Sequence, residues 1–102
     1  MPHGNSHQNQ KPHHLYEIFD EHDNEVFKYG ISADKIDPDG TSDRLRKQLK
    51  LFNLVANTLR FIGKILIQNI PGREAAEQIE DEHVLEHEKK HGKRPRGNPP
   101  KN

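Results

Sequence analysis

At 102 residues the chain has room for one small domain. Its 29% hydrophobic and 31% charged residues allow only a small core and predict some unfolded stretches. Zero formal net charge excludes a uniformly basic nucleic-acid binder, and the absence of Cys excludes a disulfide framework and any Cys-based zinc site.

Residues 1–13 contain almost no apolar side chain and read as a disordered leader or linker, without the apolar core of a signal peptide. No apolar run is long enough to span a membrane. The domain is expected over 14–102, with a basic tail from 93. His14 to Asp20 alternates Leu15, Glu17 and Phe19 with Tyr16 and Ile18, which predicts a strand. "EHDN" is turn material, and Glu25 to Ser32 reads as the returning strand of a hairpin. Pro38 and Gly40 mark a loop. A helix follows over 41–59, capped by Thr41 or Ser42, with Asp43 at its positive end and Leu45, Leu49, Phe52, Ala56 and Leu59 at helical spacing. Phe61 to Ile70 is apolar and β-branched and reads as a third strand. A second helix follows, with Pro71 in its first turn and Gly92 at its stop. The order β-β-α-β-α predicts an α+β fold, a small three-stranded antiparallel sheet flanked by helices.

Charge is uneven along this frame. Glu74 to Glu88 is acidic, whereas Lys89 to Asn102 carries basic residues and no acid. "HEKKHG", His87 to Gly92, fits H-E-x-x-H, in which two His one turn apart hold zinc and the Glu acts as base. Here Lys89 and Lys90 oppose a cation and no third ligand follows His91. The stretch therefore reads as a solvated last helical turn, with a zinc protein as the remote alternative. Glu80, His83, His87 and His91 share one stripe of the second helix, headed by Ala76. That stripe reads as a solvated face, with a cleft over the sheet as the alternative.

"LYEIFD…FKYGIS", "DRLRKQL", "AAEQIEDEHV" and "PRGN", in that order, resemble the GIY-YIG endonuclease superfamily, most of all the nuclease domains at the C-termini of Rhs-type polymorphic toxins. The resemblance covers about His14 to Asn98. It implies roles for Tyr16 as the first-motif tyrosine, Gly30 and Ser32 as the second-motif glycine and hydroxyl, Arg44 (with Arg46 as fallback) as the helix arginine, Glu80 as the metal-binding glutamate, and Asn98 as the asparagine that closes the site. Lys28 stands where the second-motif tyrosine is usual, and Tyr29 is adjacent. His14 and His83 are supporting candidates. The resemblance further implies a divalent metal (Mg2+, with Mn2+ as substitute), a DNA or RNA substrate, an upstream carrier polypeptide, a cognate immunity protein, and delivery into a target cell's cytoplasm in interbacterial competition.

The residue types suit phosphodiester hydrolysis. Arg44 offers a fork of donors to a phosphate, and one carboxylate suits a hard, largely hydrated cation. Tyr16 and Lys28 compete for the role of general base. A non-enzymatic nucleic-acid-binding module using the basic tail is the alternative.

Overall fold

The strand from Pro12 to Asp20 (β1) is the middle of the sheet, and its alternation sets both cores. A computed structural model describes residues 10–100; the expected leader lies mostly outside them. β1 pairs antiparallel with Glu25–Ser32 (β2) on one side and with Phe61–Pro71 (β3) on the other, in the order β2-β1-β3. Helices Asp43–Ala56 (α1) and Arg73–His91 (α2) complete the β-β-α-β-α order. The α+β architecture is the one the hydrophobic periods predict.

Odd positions of β1 serve one face. Leu15 is buried with Ile31, Ile70 and Ala76 of α2, with Ile67 and Ile79 packed alongside. Even positions serve the other, where Tyr16 and Ile18 are buried with Leu45 of α1 against Phe27, Phe52 and Phe61. α1 comes close to the sheet at Gly63, where a Cβ would lie 2.7 Å from Leu45 Cδ1.

Boundaries differ from the sequence expectation in four places. β1 begins at Pro12, because β3 is long enough to pair Pro12 with Pro71 and His13 with Ile70. His13 is therefore a buried sheet residue. α1 stops at Ala56, three residues short, because Asn57 turns left-handed (φ 57°) and closes the helix. Asn53 then receives the amides of Arg60 and Phe61 at 2.8 and 2.7 Å, folding the chain into β3, and Leu59 is left exposed outside the helix. Pro71 ends β3 instead of opening α2, since Gly72 at φ 91° makes the corner. Ser42, of the two expected caps, is the N-cap of α1, and Gly92 closes α2 as expected.

One buried carboxylate ties the far end of the sheet together. Asp20, fully buried, accepts from Arg60 Nε and Nη2 at 2.8 Å each, from Arg96 Nη2 at 2.5 Å, and from the amides of His22 and Asp23. It thereby holds the β1–β2 turn, the start of β3 and the C-terminal tail. The tail covers the outer edge of β2. Gly97 N donates to Phe27 O at 2.7 Å, and the Asn98 side chain brackets the backbone of Tyr29 at 2.8 and 2.9 Å. Lys93 and Arg96 pair with Glu25, and Arg94 donates to Asn98 O. The expected basic arm is thus largely committed to its own fold.

Hydrogen bonds from Arg60, opposed by burial and reinforced by the turn amides, hold the Asp20 carboxyl far below its ordinary value. A lowered carboxyl stabilises the fold fully above its unfolded pKa of about 3.9, and that contribution declines below it and is lost as pH falls through the lower folded-state value. Asp20→Asn is expected to cost on the order of 3 kcal/mol at neutral pH. It should also flatten the loss of melting temperature between about pH 5 and pH 2. A variant melting like the wild type across that range would show that this carboxylate is not the tie.

Candidate functional site

β2 and β1 bring three of the sequence candidates to one face. Tyr16 pairs with Gly30, and Lys28 pairs with Ile18. Directly paired residues share a face, so Lys28, Gly30 and Tyr16 line up on the α1 side. The Tyr16 ring lies across Gly30 so closely that a Cβ there would stand 2.2 Å from the ring carbon bearing the hydroxyl. The missing side chain is what lets the ring lie there. Its hydroxyl reaches α1 and donates to Gln48 Oε1 at 2.7 Å, and Lys28 Nζ approaches the same oxygen at 3.5 Å.

Arg44 and Glu80 complete the constellation electrically. Burial pushes the Tyr16 phenol above its ordinary value of 10; Arg44 opposes the rise, while Glu80 and Asp34 add to it. Burial pushes the Lys28 ammonium below 10.5, the Arg44 charge lowers it further, and Glu80 works against both. The two titratable groups therefore shift toward each other: a phenol that resists ionising beside an amine that gives up its proton more readily. Arg44 is exposed and Glu80 is half-buried, and a cleft of about 430 Å³ lined by Ser32, Asp34, Asp43, Lys47 and Gln48 opens at Arg44.

The supporting candidates divide. His14 Nε2 is 3.2 Å from Ser42 Oγ and 3.6 Å from Asp34 Oδ1. Burial lowers its pKa, against Asp34, so the ring tends to the neutral form. Ser32 donates to Asp34 Oδ1, and Asp34 Oδ2 accepts the amide of Arg44 at 2.8 Å. His14 and Ser32 thus act on Asp34 and Ser42, which set the first turn of α1 and so the root of Arg44. Arg46 is committed elsewhere, donating to Asp37 at 2.6 Å and to Thr41 at 2.9 Å, where it braces the loop before α1. Tyr29 points to the other face, its ring 5.4 Å from that of His83. Asn98 grips the backbone of Tyr29 at the sheet edge and so steadies the strand bearing Lys28.

Two residues of this site escaped sequence reasoning. Gln48 is one turn beyond Arg44, a spacing that places both on one side of the helix. Asp34 sits two residues past Ser32 in a loop with no periodicity to mark it.

The His stripe of α2 is not a solvated face. Ala76 and His87 are buried, and His83, His87 and His91 line a cleft of about 500 Å³ with Val26 and Tyr29. His87 donates through Nδ1 to Lys93 O at 2.9 Å, so the "HEKKH" turn is solvated at Glu88, Lys89, Lys90 and His91 but not at His87. Among the described residues no group of three or more His, Asp or Glu could hold a metal ion. The donor set does not fit a closed zinc centre. A lone carboxylate such as Glu80 is the kind of donor a hard, largely hydrated cation accepts.

The family model of URI fold toxin 2 (Tox-URI2) matches residues 6–92. The chain belongs to this toxin family. It is a polymorphic-toxin domain, and toxins of this kind imply a cognate immunity protein. All of β1, β2, α1, β3 and α2 lie within the match, whereas the tail that clamps β2 lies beyond it. No curated protein and no solved structure matches the chain. No helix among the described residues is long and apolar enough to cross a membrane.

Gly30→Ala tests the interlock at the centre of the site. The new methyl must displace the Tyr16 ring, so urea denaturation should show a loss of about 1–3 kcal/mol. A variant as stable as the wild type would place the ring elsewhere.

Proposed function

We propose that this toxin domain is a metal-dependent endonuclease of the GIY-YIG type, hydrolysing phosphodiester bonds of DNA, with RNA as the alternative substrate. The observation that carries the reading is the meeting of Tyr16 and Lys28 at the Gln48 side-chain oxygen, with the charges of Arg44 and Glu80 acting on both. The resemblance to Rhs-type nuclease domains supports it independently of that geometry.

Arg44, exposed at the mouth of the cleft, takes two oxygens of the scissile phosphate and offsets charge as it develops. Water attacks phosphorus, and its proton passes to the neutral amine of Lys28, whose burial and cationic neighbour favour the deprotonated form. Tyr16 remains a phenol. Its O–H donates a hydrogen bond to Gln48 Oε1, which leaves the phenol oxygen's lone pairs to orient the attacking water. The P–O bond to the leaving oxygen breaks, and that oxygen takes a proton from solvent. Glu80 is the residue that would hold Mg2+, or Mn2+ in its place; when bound, the ion supplies Lewis-acid stabilisation at the phosphate.

In the cell, the domain would be the C-terminal effector of a larger carrier, delivered into a target-cell cytoplasm and silenced at home by its immunity protein. The reading as a binding module without catalysis draws little from the tail, since Lys93, Arg94 and Arg96 each have a partner within the fold.

Plasmid DNA, or in the alternative a structured RNA, should be cleaved by the chain with Mg2+, and chelation should stop the reaction. Glu80→Ala should lower the rate by on the order of 10³-fold. Equal cleavage by wild type and Glu80→Ala, or none by either, would reject the nuclease reading.

The base assignment has its own test. Burial disfavours the charged amine, so the Lys28 pKa falls and activity should rise with pH until it levels above that pKa. Lys28→Arg keeps the charge but cannot lose a proton, and should reduce kcat by about 10²–10⁴-fold. Near-wild-type kcat in Lys28→Arg, with loss in Tyr16→Phe, would move the role to Tyr16.

A further inference from the structure

The outer face of α1 is divided. Leu45, Leu49 and Phe52 turn inward, and the opposite side carries Arg44, Lys47 and Lys50 in its first half. In its second half Leu51, Leu54 and Val55 are 55%, 72% and 77% exposed, and Leu59 just beyond the helix is 89% exposed. In a chain with so few apolar residues, four aliphatic side chains gathered in water are a marked cost, and such patches mark binding surfaces. Arg44, Lys47, Leu51 and Leu54 follow i, i+3, i+7, i+10 spacing. They form one stripe, about 15 Å from end to end. The apolar end therefore lies within one protein contact of the arginine at the cleft.

We propose that this stripe docks a protein partner whose contact surface is aliphatic at its centre and rimmed by carboxylates. Charge complementarity selects that occupant. Lys50 has no ion-pair partner among the described residues, and Lys47 pairs only with Asp43 on its own helix. Nucleic acid would satisfy the lysines and leave the aliphatic side chains in water. A second copy of this chain, related by a twofold axis, would set lysine against lysine. A bilayer surface would find no aromatic anchor among the four aliphatic residues. A partner seated here extends its acidic rim over Lys47 toward Arg44 and covers the mouth of the cleft without entering it. That places the immunity protein beside the cleft. Its effect on activity, though not its docking, rests on the nuclease reading above.

The probe is the protein that neutralises the chain when the two are expressed together, purified and titrated calorimetrically against the full chain. Affinity should weaken as salt rises. Leu54→Glu combined with Val55→Glu should raise Kd on the order of 100-fold, and Lys50→Glu about 10-fold. Both should leave circular dichroism, the melting temperature and metal-dependent cleavage as in the wild type. Leu59→Asp, outside any helix, is the second variant, with Kd rising about 10-fold even if the helix variant folds poorly. Unchanged affinity in these variants overturns the proposal, as does the absence of any neutralising protein. So does a wild-type dimer in sedimentation that the double variant dissolves, or binding to phosphatidylserine vesicles that the double variant loses. Because Kd is read without cleavage, failure of the nuclease reading leaves these outcomes intact and distinguishable.

Discussion

The Tyr16 ring resting on Gly30 is the contact on which both the fold and the site depend. Among the described residues β1 is the only strand paired on both sides, and Tyr16 stands at its middle, 1% exposed. Because Gly30 has no side chain, the ring occupies that space and spans the strand pair instead of standing upright. Its apolar body then closes the core shared with Leu45 and Ile18, while its hydroxyl reaches Gln48. A single side chain thus belongs both to the core and to the candidate site, so a change that loosens one disturbs the other.

Around that contact the site is assembled from the ends and edges of elements. Arg44 is rooted in the first turn of α1, and that turn is set by Ser42 and Asp34, themselves held by His14 and Ser32. Lys28 lies next to a bulge, since Phe27 has no register partner between Lys28 and Val26. The bulged strand is also an edge strand, and the tail at Gly97 and Asn98 supplies the missing pairing. The buried ion pair at Asp20 anchors that tail. A carboxylate at the opposite end of β1 from His14 thereby steadies the strand that bears Lys28.

Much of this was legible from residue order. Alternation in His14–Asp20 and Glu25–Ser32 revealed both strands, and Leu45, Leu49 and Phe52 revealed the inward face of α1. Tyr16, Lys28, Arg44 and Glu80 entered as candidates only through a resemblance to a known family, since no local period marks them as a set. Leu59 was misread because its spacing continues the helical period, whereas Asn57 ends the helix through a backbone angle that periodicity does not register. The histidine stripe was misread because its polar composition suggests solvent, although Tyr29 and Lys93 cover part of it.

The sequence alone determined which segments are strands and helices and which faces are apolar, because those follow from the periods of 2 and 3.6 and from local caps. Only the tertiary structure decided that Gln48 joins Tyr16 to Lys28, that Arg44 and not Arg46 stands at the cleft, and that Asn98 holds a strand edge. It also decided the directions in which Tyr16 and Lys28 titrate. These depend on burial and on charges 16 to 64 residues away in the chain, which no local pattern encodes.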